Sequence, residues 1–178
     1  IMNKLLFIIT IVTTSLMSCS PVVTPLTGSY MEKPYEIKVD KDFEQVWSNV
    51  IDLFARKGLS IQVIDKASGL IVSEQTSLLQ SYTFEDSNGK LIDNNAWIIV
   101  QKITLSRQVL LPIRFLGSWN IRLKKIDDNK TIINVNLNIN SAQGQWYNTM
   151  TGKPSGIFYT MSAKSTGNFE KMISNMIQ

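Results

Sequence analysis

Two pairs of adjacent carboxylates, Glu85-Asp86 and Asp127-Asp128, are the first residues to weigh for chemistry. A glycosidase needs two carboxyl groups held across a sugar, one as acid and one as base or nucleophile. Both pairs here lie in or beside turn signals, which suits solvation, and no separated pair stands out. Ser165-Thr166-Gly167 precedes an apolar helical pattern and could hold an anion through free N–H groups; helix capping is the simpler account. No glycine-rich phosphate loop follows a strand pattern. The 178 residues contain no histidine, so the commonest general base and metal ligand is missing. The single cysteine, Cys19, leaves no intramolecular disulfide and no thiolate metal cluster. The expectation is a protein that is not an enzyme, with no catalytic residues, no metal and no cofactor.

Cys19 has a different use. Lys4 precedes an apolar run from Leu5 to Met17, then Ser18 and Cys19. Charge, apolar run and small residue in that order make a secretory signal. Leu16-Met17-Ser18-Cys19 resembles the lipobox of bacterial lipoproteins. That resemblance implies cleavage before Cys19 and acylation of its thiol, with residues 1–18 as signal peptide. Each buried CH₂ of an acyl chain contributes about 0.8 kcal/mol, so several chains hold a protein to a membrane. Ser20 follows the cysteine where an aspartate often marks inner-membrane retention in enterobacterial lipoproteins. The expectation is outer-membrane anchoring. No acidic cluster follows Cys19, which by resemblance to lipoproteins of the Bacteroides group implies the periplasmic side rather than the cell exterior.

Without residues 1–18 the chain keeps 160 residues, enough for one domain with its own core. Lys and Arg number 18 against 14 Asp and Glu, and the balance falls from +4 to +3 when Lys4 is lost. An excess this small does not make a nucleic-acid binder. Arg56-Lys57 and Lys124-Lys125 flank apolar stretches and read as solvated faces. Residues 19–33 hold Pro21, Pro25 and Gly28 and read as a flexible tether with a reach of roughly 30–50 Å. A single domain then spans 34–178.

Tyr35, Ile37 and Val39 alternate with charged residues as a strand. Asp40 is the expected cap of a helix whose stripe is Phe43, Val46, Trp47, Val50, Leu53 and Phe54, stopped by Gly58. Leu59 to Val63 and Leu70 to Glu74 form a hairpin around Asp65–Gly69. Asn88-Gly89 predicts a type I′ turn between Phe84 and Leu91. Residues 97–105 read as one strand. Pro112 confines 107–116 to an edge strand or loop. Trp119, Ile121 and Leu123, then Ile133, Val135, Leu137 and Ile139, form a second hairpin, with Asn134, Asn136, Asn138 and Asn140 on its wet face. Residues 141–164 read as a long irregular segment. A last helix begins near Thr166, capped by Ser165 or Thr166, with Phe169, Met172, Ile173, Met176 and Ile177 as its stripe.

The run Val39-Asp40-Lys41-Asp42-Phe43-Glu44-Gln45-Val46-Trp47, followed by Gly58-Leu59-Ser60-Ile61 and Ile64-Asp65-Lys66-Ala67-Ser68-Gly69-Leu70-Ile71, is similar to the repeated domain of BamC-like (NlpB) lipoproteins of the outer-membrane β-barrel assembly machinery. The likeness covers residues 35–76, and its motifs are turn, cap and core positions. It implies a helix-grip arrangement. This chain has one such unit rather than two, a long 77–118 insertion and no copy of the family's N-terminal binding segment.

The expected fold is therefore α+β: a mostly antiparallel sheet gripping one main helix, with a C-terminal helix nearby. The expected function is that of an envelope lipoprotein that binds or scaffolds another envelope protein in outer-membrane protein assembly. Trp146, Tyr147, Phe158 and Tyr159 are its candidate partner contacts, since Trp and Tyr are favoured anchors; the competing reading has them closing the core. The alternative function is a carrier of a small apolar molecule or lipid, with a cavity behind Phe43, Trp47 and Phe54.

Overall fold

The computed structural model describes residues 20–106, 108–148 and 150–178; Cys19 and the rest of the expected signal lie outside them. In chain order, β1 (Val22–Thr24) and β2 (Tyr35–Val39) precede α1 (Phe43–Lys57). There follow β3 (Ile61–Asp65), β4 (Leu70–Ser73), β5 (Thr76–Ser77), β6 (Tyr82–Thr83), β7 (Ile98–Val100), β8 (Lys102–Leu105) and β9 (Gln108–Val109). The chain ends with β10 (Leu111–Asp127), β11 (Lys130–Tyr147), β12 (Pro154–Thr160), β13 (Ala163–Ser165) and α2 (Asn168–Ile177).

The alternating run from Trp119 to Ile139 builds the spine, the hairpin of β10 and β11, closed at Asp128 and Asn129. Asp127 Oδ1 accepts from the Asn129 N–H and shapes that turn. Each half of the hairpin recruits its own neighbours. Near the turn, β2 flanks β11 while β4 and β3 flank β10. At the far end β12 flanks β11 and β5 flanks β10. Smaller sheets join β1, β8 and β9, and β13, β7 and β6. Among the described residues every strand pair is antiparallel except β6 with β7, so the α+β class and the mostly antiparallel sheet stand.

Val46, Trp47, Val50, Leu53 and Phe54 of α1 are buried. Each contributes roughly 1.5–3 kcal/mol relative to an exposed side chain. α2 places Phe169, Ile173 and Ile177 in the same core. Gly58 ends α1 at φ +61°, as its type predicts. The cap is Asp42, not Asp40: its Oδ1 accepts from the Gln45 N–H at 2.8 Å. The two residues past β2 place Asp42, rather than Asp40, over the open first turn. α2 likewise starts two residues later than expected, with Gly167 as cap in the left-handed region. The Ser165 and Thr166 hydroxyls accept from the Gly167 and Asn168 N–H groups just ahead of it.

Four other expectations change. The Asn88-Gly89 turn is not type I′. Asp86 and Lys90 close a three-residue loop in which Gly89 alone takes positive φ, and the Asp86 carboxylate holds the Asn88 and Lys90 N–H groups. Residues 97–105 split at Gln101, whose N–H goes to Ser162, so β7 and β8 enter different sheets. The stretch 141–147 is not irregular. A bulge opposite the Leu116–Gly117 step lets β11 run on to Tyr147, and β12 pairs with it. Residues 22–31 are not a free tether. β1 pairs with β8, Met31 bridges to Ser165, and Thr27, Gly28 and Tyr30 are held by Glu85. Pro112 fits its expectation: among the described residues β10 has only β11 beside it there, and the register shifts between Pro112 and Arg114.

Candidate functional site

The bulge decides what the aromatic candidates can do. Before it, odd-numbered residues of β11 face the core; after it, Ala142, Gly144 and Trp146 do. Trp146 is therefore buried, and its indole meets the Tyr159 ring edge-on at 6.0 Å. Its Nε1–H has no acceptor among the described residues. Tyr159, paired with Gly144, is half-buried on the same inner face. Tyr147 and Phe158 point the other way and are 42% and 59% exposed. The four candidates thus divide: Trp146 and Tyr159 close the core, while Tyr147 and Phe158 remain open to a partner. Ile157 and Met150 are exposed as well, at 59% and 96%. β12 is an edge strand with a partner on one side only among the described residues.

A second surface lies between the two helices and the sheet. Next to Phe54 the core is packed, with Val46 and Val50 fully buried and the Phe54 ring stacked on Trp119 at 4.7 Å, whereas Phe43 lines an open hollow of about 420 Å³ with Lys66 and Gly69. The apolar opening sits on Leu53. An apolar groove of about 390 Å³ runs between α1, α2 and the β5 region. Trp97, Trp119 and Phe169 form its wall, with Phe169 edge-on to both indoles at 5.0 and 5.5 Å. Met172 and Met176 of α2 form its other side. Lys57 is the one charged lining residue. Lys57 and Arg56 also line the adjoining hollow, with Leu53 and Met176. The sequence placed Met172 and Met176 in a core stripe and missed this role. The available signal was excess: five apolar positions on a ten-residue helix are more than one sheet contact covers.

The carboxylate pairs are turn and clasp residues. Glu85 accepts from the Thr27 and Gly28 N–H groups at 3.0 and 2.8 Å and from the Tyr30 hydroxyl. Burial alone raises the Glu85 carboxyl, but these hydrogen bonds outweigh it and hold it below the ordinary glutamate range. Tyr30 is raised, by burial first and then by the Glu85 carboxylate. Asp86 is lowered by the backbone N–H groups of Lys90 and Asn88. Asp128 pairs with Lys125 at 2.7 Å on the exposed hairpin turn. Ser165 is committed to Glu170, whose buried carboxylate also takes the Leu137 N–H where β11 lacks a neighbouring strand. No cluster of metal-ligating side chains occurs among the described residues, nor does any helix long and apolar enough to cross a membrane.

No family model matches the chain, and no curated protein does. Among solved structures it is similar to the Zhui aromatase/cyclase from Streptomyces sp. R1128. That similarity has 11% identity and a TM-score of 0.27, over 89% of this chain and 84% of that one.

Proposed function

We propose that this protein is an envelope lipoprotein, held to the outer membrane through lipid on Cys19 and facing the periplasm. It acts by binding another envelope protein rather than by catalysis, in the service of outer-membrane protein assembly. The anchor rests on Lys4, the Leu5–Met17 run and the Leu16-Met17-Ser18-Cys19 pattern. One observation carries the binding role: Ile157 and Phe158, each 59% exposed, lie on an edge strand beside exposed Tyr147. An exposed apolar edge strand invites pairing, and a partner strand added to it gains backbone hydrogen bonds as well as side-chain contacts.

The test is affinity capture of the lipidated protein from gently solubilised envelopes, with Cys19→Ala as the control for anchoring. Recovery of a defined envelope complex, lost in Phe158→Asp and Tyr147→Asp, supports the reading. Equal recovery by the wild type and both aspartate variants sinks it.

A further inference from the structure

We infer that the groove between α1 and α2 is a binding site for a single-chain anionic amphiphile, its apolar chain against Trp97, Trp119 and Phe169 and its head group on Lys57. The site is separate from the β12 edge and shares no residue with it. Its volume, about 390 Å³, falls toward the small end of ligand sites. That admits one chain rather than the paired chains of a phospholipid.

Three observations bear on the occupant. The wall is rigid and aromatic: Phe54, Trp119, Phe169 and Trp97 lock one another by ring contacts of 4.7, 5.5 and 5.0 Å. The facing side is adaptable, since Met172 and Met176 are unbranched thioethers that reshape around a chain. The charge is one-sided. No acidic residue lines the groove or the adjoining hollow, whereas Lys57 lines both and Arg56 lines the hollow. Among the described residues neither cation forms an ion pair with a carboxylate; Arg56 Nε–H donates to the Asp52 carbonyl. A cation lining the groove, Lys57, with a second, Arg56, in the adjoining hollow, complements a chain that ends in an anion. Thr76 and Ser77 also line the groove and bring hydroxyls to it. A fatty carboxylate and a lysophospholipid phosphate present the same chemistry, and the assay separates them.

The experiment titrates the intact mature protein with cis-parinaric acid and reads probe fluorescence. Palmitate, lysophosphatidylglycerol and uncharged dodecyl maltoside then serve as competitors. The expected result is saturable binding displaced by palmitate or by lysophosphatidylglycerol, but poorly by the maltoside. Whichever anion displaces at lower concentration names the source. Lys57→Glu weakens binding about fivefold, the size of one exposed ion pair lost and one repulsion added. Met172→Trp, which fills the groove, abolishes binding, and an unchanged thermal transition shows that the variant is folded. Lys57→Glu lies on an exposed helix end and tests the head-group site without touching the core. Absence of saturable binding, or equal displacement by the uncharged competitor, overturns the inference. Capture of a protein partner through Tyr147 and Phe158 is independent of either result.

Discussion

Replacing Glu85 by Ala is expected to release the N-terminal arm from the domain without unfolding it. The carboxylate is the common acceptor for the Thr27 and Gly28 N–H groups, the Thr27 hydroxyl and the Tyr30 hydroxyl. A hydrogen bond to a charged group contributes about 1.5–3 kcal/mol when well buried. This clasp is half in water, so each bond is discounted to roughly 0.5–1 kcal/mol, and the set to about 2 kcal/mol. That is a factor of about 30 in the opening equilibrium. Amide exchange at Thr27, Gly28 and Met31 should therefore accelerate about 30-fold in Glu85→Ala, while the amides of Ile121 and Val135 keep their protection. Gly28→Ala should act in the same direction, because a Cβ there would lie 2.6 Å from the Tyr30 hydroxyl and 2.8 Å from the Gly89 carbonyl oxygen. The pH dependence has a definite sign. Glu85 is lowered in the folded state, so its contribution is present above the ordinary value of 4.5 and lost as pH falls through the folded value. Tyr30 is raised, so its contribution is present below 10.0 and lost at still higher pH. The arm is held between these limits. The consequence is positional: with β1 docked, three residue steps separate Cys19 from Val22, a reach of about 10 Å, instead of the roughly 30–50 Å of a free tether. Unchanged exchange at Thr27 and Gly28 in Glu85→Ala would refute the clasp and restore the tether.

Asp42→Ala should cost about 1 kcal/mol in urea denaturation through loss of the Gln45 cap, whereas Asp40→Ala should fall within about 0.5 kcal/mol of wild type. Gly58→Ala and Gly69→Ala share similar backbone angles, φ +61° and +70°, but not surroundings. Gly58 has open space, so only the left-handed penalty of about 1 kcal/mol applies. At Gly69 a Cβ would sit 2.2 Å from the Leu123 carbonyl oxygen, so the backbone must move, and denaturation should show a clearly larger loss, of about 3 kcal/mol. Phe54→Ala should cost about 3–5 kcal/mol in the same assay and shift Trp119 emission, since it removes the ring stacked on that indole.

The alternating runs on either side of Asp127–Lys130, and the helix from Phe43 to Lys57, were legible because their information is local. Period-two burial on one sheet face and a three- and four-residue stripe on one helix face are written into the order of side chains. So were Gly58 as a stop and Pro112 as an edge residue. The expected anchor on Cys19 comes from sequence alone and lies outside the described residues. Tertiary structure decided what depends on residues far apart in the chain. Bulging at one step of β11 reversed which face Trp146 and Tyr147 occupy. Glu85, more than fifty positions away, turned an apparent tether into a docked arm. The placement of α2 near α1 turned Met172 and Met176, expected in the core stripe, into the side of a groove. Alternation and periodicity say which side chains seek burial. They do not say which distant backbone will pair with a strand, and that pairing set the phase of Trp146, the place of the arm and the opening beside Leu53.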